Sequence, residues 1–346
     1  MSSRPQTTLE AIDEAIEATQ SSAPGRAHYG ASSAADPCHD KLWYQFRWVK
    51  IIRHSARLLR LFNRGQREEN ELNAWLRMAG LEVWAEDPDT NEQWRIDDVA
   101  GHFGGSLDGV VMGLPEAPRE PHVSEQKTHN KKSYEDLLKK GVQNSKPVHY
   151  GQMQIYMYKM GIQWALYQAI CKDDDRLYLE RVPLDEQYAK NLVERSARII
   201  ASDRQPRKLS EDPTWYQCRF CDYSDICHGR ELPEVNCRTC AHSTPVTEPG
   251  GFGRWVCELR KVELSVEDQR QSCDLHIYIP TLLRNWATPL DANKVSVTYR
   301  NDITNNEFTN GPPGYRSKEL RKAPNLEFIG DPVLNELKEE FHAEIE

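Results

Sequence analysis

This sequence predicts an α/β fold, a mixed sheet flanked by helices, and three observations carry the prediction. A long segment with helical spacing, Ser55–Ala79, precedes several short apolar runs bounded by glycine, proline or polar turns. A second helical segment, His149–Met160, separates those runs from two more of the same kind. An order of helix, three or four strands, helix and strand fits layered α/β packing. A chain of 346 residues has room for one full core and a smaller module beside it.

The chain opens with Thr8–Gln20, where Leu9, Ile12 and Ile16 repeat at helical spacing, followed by the Ser/Ala/Gly-rich stretch Ser21–Ala35. Residues 1–28 are expected to be a mobile arm that meets the body near Tyr29–Ser32. Asp36 before Pro37 reads as an N-cap and first helical residue, opening a helix with Leu42, Trp43 and Phe46 and with Cys38 in its first turn. Within Ser55–Ala79, Leu58, Phe62, Leu72 and Leu76 are spaced for one face, and Gly80 is the stop. Gly65 and Glu69 fall on the same stripe, and an inward carboxylate is costly unless it is paired or binds a metal.

Strands are expected at Leu81–Ala85, Trp94–Asp98, Gly105–Met112 and Val123–Thr128. The lysine-rich segment Lys131–Val148 reads as a loop over the site with only a short helix around Tyr134–Leu138. In His149–Met160, ended by Gly161, Met153, Met157 and Met160 form an apolar stripe, while Gln152, Tyr156 and Lys159 form a separate polar side. Strands Gln163–Cys171 and Arg176–Val182 follow, then a helix Asp185–Asp203 stopped by Pro206. Val295–Tyr299 and Glu307–Phe308 suggest a hairpin, and Leu334–Glu346 an acidic helix or tail.

The chemistry concentrates between Ser106 and Tyr156. Asp108 sits between apolar neighbours, and Glu125 and Lys127, two apart on a strand, point to one face. Facing carboxylates beside an ammonium suit Mg²⁺ or Mn²⁺, which takes few protein carboxylates and completes its shell with water and phosphate. Such a cation lowers the pKa of water and stabilises charge developing on phosphorus. In this reading Asp108 and Glu125 hold the metal, aided by the Gln126 carbonyl. Lys127, with a lowered pKa, positions or deprotonates the attacking water. Glu69 orients a water or second cation, and Gln152 and Tyr156 contact the nucleic-acid strand.

Gly65-x-x-x-Glu69, Asp108, Glu125-x-Lys127 and Gln152-x-x-x-Tyr156, in that order, resemble the PD-(D/E)XK nuclease superfamily, and most of all its RecB-like exonuclease branch. The resemblance covers roughly residues 29–230. It implies a restriction-endonuclease-like core and a metal-dependent DNA exonuclease acting at DNA ends, in phage or bacterial recombination, replication or repair. It also implies DNA as partner, with a recombination or replication protein beside it. Aromatic and arginine-rich surroundings suit single-stranded DNA, whose bases stack on rings. The alternatives are an endonuclease of the same fold and a catalytically silent DNA- or protein-binding accessory factor.

No run approaches the roughly 18–20 apolar residues of a membrane span, and the N-terminus lacks a signal-peptide core. A cytoplasmic protein is therefore expected, and no membrane partner. Nine cysteines in that compartment are more often metal ligands than disulfides when grouped. Cys218-x2-Cys221-x5-Cys227 needs a fourth ligand, for which Cys38 is the candidate. Four thiolates suit a 4Fe–4S cluster or tetrahedral zinc. One cysteine before the core and this run after it resemble the iron–sulfur exonucleases, among them the AddB nuclease domain, CRISPR-associated exonucleases and phage enzymes. That resemblance implies a structural 4Fe–4S staple on Cys38, Cys218, Cys221 and Cys227, closing a core of residues 29–230.

Cys237-x2-Cys240, with Cys257, Cys273 and His276, forms a second set and reads as a small zinc-ribbon-like, metal-binding module within residues 231–279. Either Cys257 or His276 completes it, and a second cluster is the alternative to zinc. Cys171, on a strand, is read as a core thiol. Residues 280–346 remain as a C-terminal hairpin and acidic tail. A net charge of −9 argues against a generally basic nucleic-acid coat. It leaves room for a local channel built from Arg53, Arg57, Arg60, Arg64 and Arg67, or from Lys127, Lys131, Lys132, Lys139 and Lys140.

Overall fold

The computed structural model describes residues 7–20, 25–341 and 343–345. Residues 1–6 and 21–24, part of the expected arm, lie outside the described residues, as do His342 and Glu346 of the expected tail. Helix α1 (Thr8–Ala18) starts at a capping box: the Thr7 hydroxyl accepts the Glu10 amide, and the Glu10 carboxylate accepts the Thr7 amide. Side chains of the same segment reach the start of the next long helix. Glu17 accepts the Ala56 amide, Asp13 pairs with Arg60, and Gln20 bonds the His54 backbone in both directions.

Strand β1 (Tyr29–Gly30) precedes α2 (His39–Phe46), which begins later than Asp36-Pro37 suggests. Cys38 is the N-cap, its Sγ accepting the Lys41 amide at 3.4 Å, while Asp36 accepts the Cys38 amide and pairs with the Lys41 ammonium at 2.7 Å. Helix α3 (Ala56–Met78) runs from Ser55 to a stop at Gly80, whose φ of +86° few other residues adopt. Its apolar stripe faces the core only along the second half: Leu72, Asn73 and Leu76 are buried, but Phe62 is 48 % exposed.

Strands β2 (Glu82–Trp84) and β3 (Arg95–Asp98) follow, and then the expected strand Gly105–Met112 divides. Its first part, β4 (Phe103–Ser106), joins a small sheet in the order β1-β4-β3; its second, β5 (Gly109–Met112), enters the main sheet. Leu107 and Asp108 form the corner between the sheets. Gly109 closes it at φ +145°, where a Cβ would stand 2.8 Å from the Trp84 carbonyl oxygen. The main sheet is completed by β6 (His122–His129), β7 (Trp164–Cys171) and β8 (Leu177–Pro183), in the order β2-β5-β6-β7-β8. Within this sheet only the β6–β7 pair is parallel, and a parallel pair requires a crossover.

That crossover is helical throughout, not the expected loop. Helix α4 (Lys131–Ser145), capped by Asn130, buries Tyr134, Leu137 and Val142 and breaks at Gly141, whose φ is +70°. Three well-spaced apolar residues are enough to seat an otherwise lysine-rich surface helix. Helix α5 (Pro147–Met160) is buried continuously from Tyr150 to Met157, so it has no separate polar face. Helix α6 (Glu186–Ala201), capped by Asp185, packs beside it.

Beyond it lie two short helices, α7 (Tyr216–Arg219) and α8 (Ser224–Cys227), and a three-stranded sheet of β9 (Ser243–Pro245), β10 (Trp255–Cys257) and β11 (Val262–Leu264). After α9 (Val266–Arg270), the expected hairpin gains a third strand: β12 (Ala287–Ala292), β13 (Val297–Asn301) and β14 (Glu307–Asn310) form an antiparallel sheet. Helices α10 (Ser317–Lys322) and α11 (Pro332–Phe341) close the chain. One apolar core runs through both halves, from Trp43 and Phe46 to Trp255, Trp286 and Tyr299.

Two buried arginines pin the halves together. Arg47 donates to the carbonyls of Ser202, Arg238 and Ser243. Arg238 stacks 3.6 Å from the Trp48 ring centre and donates to Phe46, Ala27 and Gln269. Among the described residues, no helix is long and apolar enough to cross a membrane.

Candidate functional site

Asp108, at the corner between sheets, faces β6. Its Oδ2 accepts the Gln126 amide at 2.8 Å. Strand alternation puts Glu125 and Lys127 on one side of β6. The Lys127 Nζ lies 2.5 Å from Glu125 Oε1 and 3.7 Å from Asp108 Oδ2, and donates to the Gln126 carbonyl at 2.9 Å. Glu69 arrives from α3, close enough for Asp108 and Lys127 to act on its charge. Four sequence-predicted residues from three elements thus meet.

Glu125 is 0 % exposed, and neither carboxylate oxygen has a hydrogen-bond partner beyond the ion contact with Lys127. Burial pushes its carboxyl up to about 7, with Asp108 and Glu69 adding to the rise and Lys127 opposing it. Burial also raises Glu69, reinforced by Asp108. For Lys127, burial works against the charge, but Glu125, Asp108 and Glu69 outweigh it. Its pKa therefore lies above the ordinary lysine value, not below it as the sequence reading has it, and the side chain is an ammonium.

Gln152 and Tyr156 are close to this group but do not face a groove. The Tyr156 hydroxyl donates to the Ser106 carbonyl at 2.8 Å, and Gln152 Nε2 donates to that hydroxyl at 3.4 Å. Both side chains are buried, where the sequence reading has them touching a strand. Gly105 is needed for this approach: a Cβ there would stand 2.6 Å from the tyrosine oxygen. The pair buttresses the turn that carries Asp108.

A groove of about 610 Å³ opens beside the acidic group. Glu69, Gln126 and Lys127 line it on one side; His129, Ser133, Lys146, His149 and Lys172 extend it. Sequence reasoning missed the two histidines. His129 continues the alternation of Glu125 and Lys127, which is the signal that finds it. His149 reaches the groove from the first turn of α5, which no local pattern announces. Of the expected arginine row, Arg60 pairs with Asp13, and Arg64 binds Glu68 and the Lys172 carbonyl.

Cys38, Cys218, Cys221 and Cys227 all line a second cavity of about 190 Å³, together with Asp36, Lys41, Tyr44 and Tyr223. Burial raises all four thiols, and Cys227, beside Asp40, is pushed up to about 12. Cys237, Cys240, Cys257 and Cys273 form another neighbourhood: burial first and then the three other thiols push Cys237 up to about 12. His276, which the sequence leaves open with Cys257 as the residue completing the set, turns both ring nitrogens to other partners. Its Nδ1 meets the Ser317 hydroxyl at 2.8 Å and its Nε2 the Asn236 carbonyl at 3.0 Å, so the ring is a buried structural linker. Cys171 is fully buried, as a core thiol. Among the described residues, no three His, Cys, Asp or Glu side chains form a ready-made cage for a metal ion.

No protein-family model matches the sequence, and no curated protein matches it. Among solved structures, the chain is similar to LHK-Exo in complex with dAMP (TM-score 0.39, 20 % identity, 56 % of this chain and 91 % of that one). It is also similar to the alkaline exonuclease LHK-Exo from Laribacter hongkongensis (TM-score 0.36, 20 % identity, 54 % and 91 %). A third is SSO0001 (TM-score 0.39, 17 % identity, 62 % and 92 %).

Proposed function

We propose that the protein is a metal-dependent DNA exonuclease of the PD-(D/E)XK type, acting at DNA ends in recombination, replication or repair. The observation that carries this reading is the meeting of Glu69, Asp108, Glu125 and Lys127 beside a groove, with Glu125 buried and its oxygens short of partners. Buried polar atoms are nearly always satisfied, and three carboxylates around one lysine leave negative charge to be neutralised. Asp108, Glu125 and the Gln126 carbonyl would hold Mg²⁺ or Mn²⁺. Such a cation, when bound, lowers the pKa of water and polarises a phosphoryl oxygen.

The chain's own residues do the rest. The Lys127 ammonium stabilises charge developing on the phosphoryl oxygens and helps to fix the attacking water. Glu69 accepts a hydrogen bond from that water and orients it. Tyr156 and Gln152, through Ser106, keep Asp108 in register with β6. Lys146 and Lys172 draw the phosphate backbone into the groove. The same reading assigns a structural 4Fe–4S cluster to Cys38, Cys218, Cys221 and Cys227, supported by four thiols around a shared cavity rather than a single point. It assigns a structural zinc to Cys237, Cys240, Cys257 and Cys273.

The test uses anaerobically purified wild type beside Glu125→Ala and Lys127→Ala, on 5′- and 3′-labelled linear DNA and on closed circles, with Mg²⁺, Mn²⁺ or EDTA. Wild type should degrade only linear DNA and only with metal, and each variant should lose about 10²-fold or more. Cleavage of closed circles would turn the assignment to an endonuclease. Failure of folded wild type to cleave anything with either metal would refute it.

A further inference from the structure

The groove contains a hydrogen-bonded chain for which the nuclease chemistry above has no use. The Ser133 hydroxyl meets His129 Nδ1 at 3.1 Å, His129 Nε2 meets the Tyr167 hydroxyl at 2.9 Å, and the same hydroxyl meets His149 Nδ1 at 2.9 Å. Tyr167 pairs with Glu125 in the β6–β7 register, so the chain is anchored one strand from the acidic group. Its other end is open. His149 Nε2 has no hydrogen-bond partner among the described residues, and the ring lines the groove.

Proton counting makes the arrangement directional. Burial, with Lys127 and Lys146 nearby, keeps His129 and His149 neutral at ordinary pH, lowered to about 4 and about 3. Tyr167, like any tyrosine at ordinary pH, is a phenol. Each ring and each hydroxyl then carries one proton, and the arrangements in which the buried Tyr167 hydroxyl also donates within the chain run in two opposite directions. In one, Ser133 donates to His129, His129 to Tyr167 and Tyr167 to His149, which leaves a His149 Nε2–H aimed at the groove. In the other every donor reverses, and a lone pair faces the groove. An oxyanion there accepts a hydrogen bond only in the first state. Lys127, Lys146 and Lys172 on the same walls, and the N-terminus of α5 at Pro147, favour an anion as occupant.

We propose that His149 donates its Nε2–H to a phosphate oxygen of a DNA strand in the groove, with its tautomer set by the Ser133–His129–Tyr167 chain. The inference rests on the nuclease reading for its ligand. The contact is neutral and directional, and adds to the lysines a donor whose position is fixed from behind.

The test compares His149→Ala, His149→Asn and His149→Gln. An asparagine amide overlays Nδ1 and keeps the Tyr167 bond without reaching the groove; a glutamine amide overlays Nε2 and retains the groove donor. Kd for fluorescein-labelled 5′-phosphorylated linear DNA is read by anisotropy in a Glu125→Ala background, and KM and kcat in the active enzyme. His149→Ala and His149→Asn should raise Kd and KM about tenfold, while His149→Gln stays near wild type. Tyr167→Phe, which keeps the ring and frees the tautomer, should raise Kd by a smaller factor in the same direction. Wild-type affinity in His149→Asn, or equal losses in Asn and Gln, would overturn the proposal and leave the ring a packing element. Absence of cleavage by the enzyme with intact Glu125 sinks the nuclease reading instead, and the anisotropy series still decides the histidine.

Discussion

His102 shows how a single side chain ties stability to pH in this fold. It is fully buried, its ring lies edge-on to Phe46 at 5.8 Å and to Trp255 at 5.9 Å, and its Nε2 meets the Val246 carbonyl at 3.1 Å. Burial, then the charge of Arg238, lowers it to about 4. The unfolded chain therefore takes up its proton near pH 6.5 and the folded one only near 4. Its contribution is complete above 6.5 and is lost as pH falls through that window, because the unfolded state there binds more protons. Urea unfolding should show about 3 kcal/mol less pH-dependent loss between those limits in His102→Gln than in wild type; identical slopes would exclude the ring as the cause. Other single residues were legible to different depths. Glu125 and Lys127 follow from strand alternation, a local rule. The partners that decide His276 and Tyr156, Ser317 and the Ser106 carbonyl, come from distant positions, and no sequence spacing reveals them.

At the scale of elements, α5 organises the site by closeness of approach. Gly151 faces Ala35 and Leu192: a Cβ there would stand 2.3 Å from the Ala35 Cβ and 3.1 Å from Leu192 Cδ1. Gly151→Ala would gain about 1 kcal/mol in helix propensity, yet overpacking of a backbone-held contact costs more, for a net loss of about 1–3 kcal/mol. Thermal melting should show the loss, and Ala35→Gly in the same chain should recover much of it; no recovery would place the strain elsewhere. Element types at α3, β6, β7 and α6 could be read because each has a long, regular pattern and a clear stop. The split of β4 from β5 could not, because Leu107-Asp108 continues an apolar run and only the tertiary fold turns it. The length of α4 was hidden for the opposite reason: its lysines outnumber the three apolar residues that seat it.

For the molecule as a whole, the two cysteine sets form two separate neighbourhoods, one lining a cavity and the other gathered around Cys237. If they carry a cluster and a zinc, anaerobically purified protein should contain iron and zinc in separable amounts. Cys38→Ala should lose iron and visible absorbance while retaining zinc, and Cys257→Ala should do the reverse. Each loss should lower the melting temperature. Iron retained in Cys38→Ala would remove that residue from the ligand set. His276→Ala should leave zinc content unchanged, since its ring nitrogens are already occupied.

The clasp formed by Arg47 also has a bearing on how the chain is made. Two of its carbonyl acceptors are 191 and 196 residues downstream, so the guanidinium must wait in an unfinished chain until the ribosome has emitted both. Until then the aromatic surface around Phe46 and Trp48 lacks Trp255 and Arg238, which complete it. Closure of so distant a contact carries a large loop entropy and slows folding. The Arg47 clasp is thus completed only once the second half of the chain is present.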